Sequence, residues 1–361
     1  MTKITQLDVS AFTIPTDFPE ADGTIEWNST TIVIVEAHAG GQIGTGFTYG
    51  DRSAAGLIDR ILSPIVLESD ALAIQETWMA MLRAVRNIGR PGIASHAIAA
   101  VDIALWDLKA RLLQVPLVTL LGRARTGIPV YGSGGFTSYS IDRLQAQLGA
   151  WAEHGITKVK MKVGSKPMED VDRVRAARES IGPGVELFVD ANGAYTRKQA
   201  LEFAEKFATY DVRWFEEPVS SDDLEGLRLI RDCAPPAMNI AAGEYGYDTT
   251  YFRRMLEAGA VDVLQADATR CAGITGFLQA VSLTDAYHVP LSAHTAPAIH
   301  APLCCAVPSA VHVEYFHDHV RIERILFDGV IEPINGVLYP DASRPGLGVE
   351  LKQADAERYA A

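Results

Sequence analysis

Four short apolar runs in this chain end in charged residues, and those charges recur at a nearly constant step. Lys162 closes Val-Lys-Met-Lys, Asp190 closes Leu-Phe-Val-Asp, Glu216 closes Arg-Trp-Phe-Glu, and Glu244 follows Ile-Ala-Ala-Gly. Successive members lie 28, 26 and 28 residues apart. That step holds one strand and one helix, the smallest unit that joins parallel neighbours. The repetition predicts parallel strands that each deliver a charged residue to a common mouth.

The remaining pattern extends this reading. Strand candidates fall at 128–133, 157–163, 186–190, 212–216, 238–243, 261–266, 289–293 and 311–315. Helical stretches lie between them, at 168–181, 196–208, 222–233, 273–287 and 298–306. Eight strands without repeated hairpins predict an α/β fold with a parallel barrel of the TIM type, whose reactive residues sit at the C-terminal strand ends. Ahead of it, residues 4–14 alternate as a strand does, and 15–27 read as a Pro-, Gly- and acid-rich loop. A hairpin over 30–37 and 43–49 turns at Ala39-Gly40-Gly41, and helices follow near 52–65, 72–88 and 94–114. These divide the chain into an α+β unit over 1–122, a barrel over 123–325 and a tail over 326–361 that returns to the first unit.

The net charge of −13 argues against a nucleic-acid partner, which needs a basic face. It does not require a cationic substrate, because a bound divalent ion reverses the local sign. Cys233, Cys271, Cys304 and Cys305 form no Cys-x-x-Cys pair, which argues against a disulfide framework or a zinc site. The first residues lack the apolar core of a signal peptide, and the apolar stretch 94–113 carries Asp102, Asp107, Lys109 and Arg111. A cytoplasmic protein without membrane spans is expected.

Asp190, Glu216 and Glu244 would repel one another at one mouth, and a hard divalent cation such as Mg²⁺ removes the conflict. A single strand-end acid is most simply a solvated charge; three in successive repeats are poorly explained that way. Adjacent strand residues point to opposite sides, so only one of Glu216 and Glu217 is expected to face the metal. Asn192 follows Asp190 by two, as a turn residue or a site residue. Lys158, Lys160 and Lys162 share one face. Crowding and burial favour a neutral amine at Lys162, which would then serve as base, with Lys160 binding a substrate carboxylate. Asp267 and His294, 27 residues apart on the next two strands, form a candidate carboxylate–imidazole pair. Glu314 ends the eighth strand; protonated, it would donate to a developing oxyanion. His312 shares its face, His300 and His288 lie in or near helices, and His317 and His319 read as loop residues. Thr16, Asp17, Glu20 and Asp22 in the first loop, and Thr48, Tyr49 and Asp51 in the second, would hydrogen-bond a polyol. Phe18, Trp27 and Phe47 would equally cover an apolar substrate. Ser133 and Thr137 add hydroxyls near the first barrel strand.

Together these residues resemble the mandelate racemase subgroup of the enolase superfamily. The matching elements are Lys160-x-Lys162, the triad Asp190, Glu216 and Glu244, the pair Asp267–His294, and Glu314. The Gly243-Glu244 ending favours this subgroup over muconate-lactonizing relatives, which usually place Asp there. Cys271-Ala272-Gly273 departs from the usual Gly-Gly and bears on packing at a helix start. The resemblance implies a modified (β/α)7β barrel with an N-terminal capping domain, Mg²⁺ as cofactor and a homo-oligomer. It implies that Mg²⁺ and Lys160 bind a small-molecule carboxylate while a base removes its α-proton to give an enediolate. Lys162 and His294 then stand on opposite faces of the α-carbon. Loss of a β-hydroxyl, with His294 as acid, would make this an acid-sugar dehydratase acting on an aldonate or aldarate. Return of a proton by the opposite base would make it a racemase or epimerase. A non-catalytic metal- or ligand-binding barrel is the alternative from another class.

Overall fold

The structure, a computed structural model, describes residues 2–361. The chain begins with a three-stranded antiparallel sheet in the order β1 (Gln6–Ala21), β2 (Glu26–Ala39), β3 (Gln42–Tyr49). The middle strand explains the unbroken apolar run Ile32–Val35. Ile32 and Ile34 join the core shared with the barrel, while Val33 and Val35 join the core of the cap. Both faces are covered, so no polar alternation survives. The Ile93–Leu112 helix lies on this sheet, with Ala100 and Ala104 so close to β3 that a Cβ at Gly46 would sit 2.3 Å from the Ala100 carbonyl oxygen.

Residues 15–27 are not the loop that their composition predicts. β1 runs to Ala21 and β2 starts at Glu26, leaving a tight turn at 22–25. The register of the pair shifts between Pro15 and Glu20, where a proline without an N–H is tolerated. The turn reaches over the barrel. A Cβ on Gly23 would lie 2.3 Å from the Ala191 carbonyl oxygen and 2.7 Å from that of Val163. Glycine is therefore what lets the cap tip seat on the ends of two barrel strands.

Eight parallel strands form the barrel: β4 (Ile128–Gly134), β5 (Lys158–Lys162), β6 (Glu186–Asp190), β7 (Val212–Glu216), β8 (Asn239–Ala242), β9 (Val263–Ala266), β10 (Leu291–Ala293) and β11 (Ala310–Phe316). Each pairs with the next, and β11 pairs with β4 to close the ring. In the register Lys162 aligns with Asp190, and Asp190 with Glu216, so the charges share one level. Below them Tyr131, Phe188 and Trp214 fill the interior, with the His312 ring 4.9 to 5.9 Å from theirs. His312 thus lies on the inward face, two residues beneath Glu314.

Cap and barrel meet where the Gly273–Tyr287 helix begins. Thr275 donates through its backbone N (2.9 Å) and its hydroxyl (2.7 Å) to buried Asp102, and Trp78 Nε1 donates to the Ala272 carbonyl at 2.8 Å. His317 and His319 lie in a helix, His317–Leu326, rather than a loop. After it the chain runs back to the cap: Leu347 N donates to Asp107 Oδ1 and Ala361 N to the Ala11 carbonyl. Among the described residues no helix is long and apolar enough to cross a membrane.

Candidate active site

Asp190, Glu216 and Glu244 are buried at the C-terminal ends of β6, β7 and β8, and each offers an oxygen within 4.8 Å of the others. Trp214, two residues before Glu216 on the same face, donates its Nε1 to Glu216 Oε2 at 2.8 Å. Asn192 has a left-handed backbone (φ 46°), and its N–H donates to Asp190 Oδ1 at 2.9 Å. Glu217 follows the last strand residue with φ 37°, so strict alternation ends there. Its buried carboxyl stands outside the triad, and burial, then Glu244, pushes it well above the usual carboxylate range.

The two lysines meet these acids directly. Lys160 Nζ is fully buried, 2.5 Å from Glu216 Oε1, 2.9 Å from Glu314 Oε1 and 3.4 Å from Asp190 Oδ2. Lys162 Nζ lies 2.5 Å from Asp190 Oδ2. Burial alone would lower both amines, but Glu216 for Lys160 and Asp190 for Lys162 raise them above the ordinary lysine value. With Asp190 turned to Lys162 Nζ, carboxylates closer to each amine outweigh the repulsion between the lysines, so a neutral Lys162 requires Asp190 to be drawn onto a cation instead. Glu314 is subject to the same balance. Burial would raise it, yet Lys160, His294 and Lys162 hold it below the carboxylate range. Its Oε2 accepts from Thr295 N at 3.2 Å and its Oε1 faces Lys160 Nζ at 2.9 Å, so donors meet both oxygens.

His294 stands at the end of β10. Its Nδ1 lies 2.8 Å from Asp267 Oδ2, and its Nε2 lies 3.3 Å from Glu244 Oε2 and 3.7 Å from Glu314 Oε2. Burial disfavours the imidazolium, but Glu244 and Glu314 raise the ring to about 9. Asp267 is fixed in turn, since Thr269 donates to Oδ1 from both N and Oγ1 at 2.7 Å. His300 is spent on structure: it accepts from Ala268 N at 2.9 Å and lies 2.7 Å from the Thr295 carbonyl.

A cavity of about 270 Å³ opens above these groups. Lys162, Glu244, His294, Glu314 and Asn192 line it, as do Trp27 and Tyr49 of the cap. Lys160 lies beneath it. Of the cap residues expected to contact substrate, Asp22, Trp27 and Tyr49 line it, and Thr16, Asp17, Phe18, Glu20, Phe47, Thr48 and Asp51 do not. Thr48 is fully buried, and its hydroxyl is taken by the Thr269 carbonyl (2.7 Å) and His96 Nδ1 (2.9 Å). Thr16 lies in the irregular part of β1, away from the lining. Sequence reasoning missed Arg270, Tyr245, Thr295 and His319, all of which line the cavity. Arg270 follows Asp267 by three, a spacing that turns a side chain back toward the strand end.

The donors fit a hard divalent ion: three buried carboxylates converge, all-oxygen and strongly anionic. Two lysines and Arg270 offset that charge here, as a cation would.

Comparison with known proteins agrees with this geometry. Residues 7–122 match the mandelate racemase / muconate lactonizing enzyme N-terminal domain, and residues 143–356 match the enolase C-terminal domain-like family. A 3,6-anhydro-alpha-L-galactonate cycloisomerase of Streptomyces coelicolor is 31% identical over 354 residues, covering 95% of each chain. An arabinonate dehydratase of Saccharolobus solfataricus is 31% identical over 349 residues, covering 94% of this chain and 92% of its own. Among solved structures, a mandelate racemase/muconate lactonizing enzyme-like protein from Rubrobacter xylanophilus superposes with a TM-score of 0.98 at 56% identity, covering 99% of this chain and all of that one. A Streptomyces coelicolor A3(2) racemase with bound magnesium gives 0.93 at 30% identity, with 99% and 100% covered. Fold, strand-end residues and relatives agree, and the chain belongs to the mandelate racemase / muconate lactonizing enzyme family of the enolase superfamily.

Proposed function

We propose that this site removes the α-proton of a sugar acid and then expels its β-hydroxyl as water, leaving a 2-keto-3-deoxy acid. One observation carries the reading: Lys162 and His294, each able to move a proton, line one cavity with a convergent three-carboxylate cluster. Dehydratases and a cycloisomerase of sugar acids among the relatives support the substrate class.

Asp190, Glu216 and Glu244 would hold Mg²⁺, which when bound neutralises charge that develops on the substrate carboxylate. Lys160 contributes positive charge from beneath that carboxylate. Lys162 Nζ takes the α-proton once its ammonium proton has been given up. His294 Nε2 gives a proton to the departing hydroxyl, which leaves as water with the bonding electron pair. Asp267 fixes the ring through Nδ1, so Nε2 is the nitrogen aimed at the cavity. Glu314 and Thr295 complete the wall, and the cap turn excludes water. The two proton-moving groups also favour a second reading, epimerisation at C2, in which the opposite group returns a proton.

Incubation of the Mg²⁺-loaded protein with sugar acids in D₂O separates the readings. A 2-keto acid product supports dehydration. Deuterium at C2 with inversion and no keto acid moves the assignment to epimerase. Bound metal with no exchange across a broad panel would sink both and leave a binding protein. Lys162→Ala is expected to abolish exchange from one C2 stereoisomer, and His294→Asn to abolish keto-acid formation.

A further inference from the structure

We propose that the cavity selects sugar acids with one carboxylate and an uncharged hydroxylated tail, and discriminates against diacids. This rests on the reading above, in which one carboxylate is held at the triad end.

The charges in the cavity are polarised along its length. Among the described residues that line it, the lysine and arginine side chains are Lys162 and Arg270. Both belong to the triad end: Lys162 on Asp190, and Arg270 on Glu244 (3.1 Å) and Asp267 (3.6 Å). Of the two lining histidines, His294 is paired with Asp267, and His319 lies stacked on Tyr49. Burial, then His294, keeps the His319 ring neutral, with its pKa drawn down to about 3.

The cap wall carries the opposite character. It presents Asp22, Ser29, Thr30 and Thr31 beside Trp27. Asp22 Oδ1 accepts from Thr24 N at 2.6 Å, Thr24 Oγ1 at 3.0 Å and Ile25 N at 2.8 Å, which fixes the carboxylate in the turn. None of the described residues donates to Oδ2, so that oxygen is free to accept from a ligand hydroxyl. The outer cations have other partners: Arg321 pairs with Asp318 at 2.7 Å, and Arg143 lies over the Phe18 ring and 3.5 Å from Asp17. Arg173 and Lys166 border a neighbouring cavity on the far side of Asp22, where Arg173 donates to the Tyr139 and Phe136 carbonyls and Lys166 lies 3.7 Å from Glu169. None of the four lines the cavity of the triad. A second carboxylate in this position meets a like charge without a cation, whereas a terminal hydroxyl finds an acceptor. Specificity of this kind comes from the repulsive element as much as from the attractive one.

Matched acids that differ only at the terminal carbon test this: D-gluconate with D-glucarate, D-galactonate with galactarate, and five-carbon counterparts. The Mg²⁺-loaded full chain is used, and both kcat/KM and binding by calorimetry are measured. The monoacid of the preferred pair is expected to exceed its diacid by at least about tenfold in each measure, which corresponds to roughly 1.4 kcal/mol. Ser29→Arg is expected to reverse the ratio, and Asp22→Asn to narrow it. Equal or better binding of the diacid overturns the proposal, as does a ratio that neither variant moves. Selective binding of monoacids with no exchange at C2 would sink the proposed reaction and leave the charge selection standing. Exchange without selection would do the reverse, and no binding by any acid overturns both.

Discussion

Arg270 Nη1 lies 3.1 Å from Glu244 Oε1, while its Nε lies 3.6 Å from Asp267 Oδ2. One guanidinium therefore touches both a carboxylate of the triad and the carboxylate that orients His294. Its planar fork suits two partners at fixed angles, which an ammonium does not match. Arg270→Met is expected to weaken Mg²⁺ binding by about 10- to 100-fold and to lower kcat, with Arg270→Lys recovering only part of either. Calorimetry with Mg²⁺ and steady-state rates would check this; unchanged metal affinity in Arg270→Met would leave the arginine a packing role.

Glu216 is fully buried, like Asp190, and is held by Trp214 and Lys160. Glu216→Ala is expected to reduce Mg²⁺ affinity by more than about 100-fold. Chelation of the parent protein should stop turnover, and added Mg²⁺ should restore it. A variant that titrates Mg²⁺ like the parent would mean the ligand set has been misassigned.

Gly23 seats the cap on the barrel at a distance that no Cβ can share. Gly23→Ala is expected to displace the turn and lower kcat/KM by roughly tenfold through a raised KM, because a loosened lid admits water and misplaces substrate. The melting temperature should change little, since the residue lies at the tip of the hairpin and not in the core. An unaltered KM would show that the tip does not need its seat.

His312 gives the barrel floor an acid sensitivity. Burial, with Lys158 and Lys160, draws its pKa from 6.5 to about 3. The unfolded chain takes up a proton below the ordinary value and the folded one does not, so stability is present above about pH 6.5 and declines as pH falls toward 3. Each unit of that window costs about 1.4 kcal/mol from this ring alone. Denaturant titrations of His312→Phe should show a shallower decline between about pH 6 and 4; an identical slope would assign the lability elsewhere.

The barrel is legible in the sequence because each strand is a short apolar run buried on both faces and each ends at a turn. Three helices, Ile141–Glu153, Thr249–Glu257 and His317–Leu326, are not, since they carry their apolar residues among many polar ones. The composition of segment 15–27 misleads because proline, glycine and acids mark a bulged strand and a tight turn as readily as a loop. Ala272, at the departure from Gly-Gly, takes a left-handed backbone (φ 64°) and belongs to the cap core at the start of a helix. The positions of the strand-end charges follow from spacing, but their protonation does not. Whether Lys162 and Glu314 are charged depends on distances of 2.5 to 3.7 Å across five strands, and spacing along the chain carries no such information.

The cap tip is the far end of one antiparallel ribbon whose ladder is continuous from Gln6 to Pro15 and resumes at Glu20. Between those points the strand trades ladder partners for the barrel: Ser138 Oγ donates to the Pro19 carbonyl at 2.7 Å and Arg321 to the Pro15 carbonyl at 2.5 Å. What lies beyond is a small head set on the barrel mouth. Drift or selection can rewrite residues 22, 24 and 25 for a different guest around the fixed glycine at 23, while the ladder that holds the cap together and the ring that performs the chemistry stay as they are.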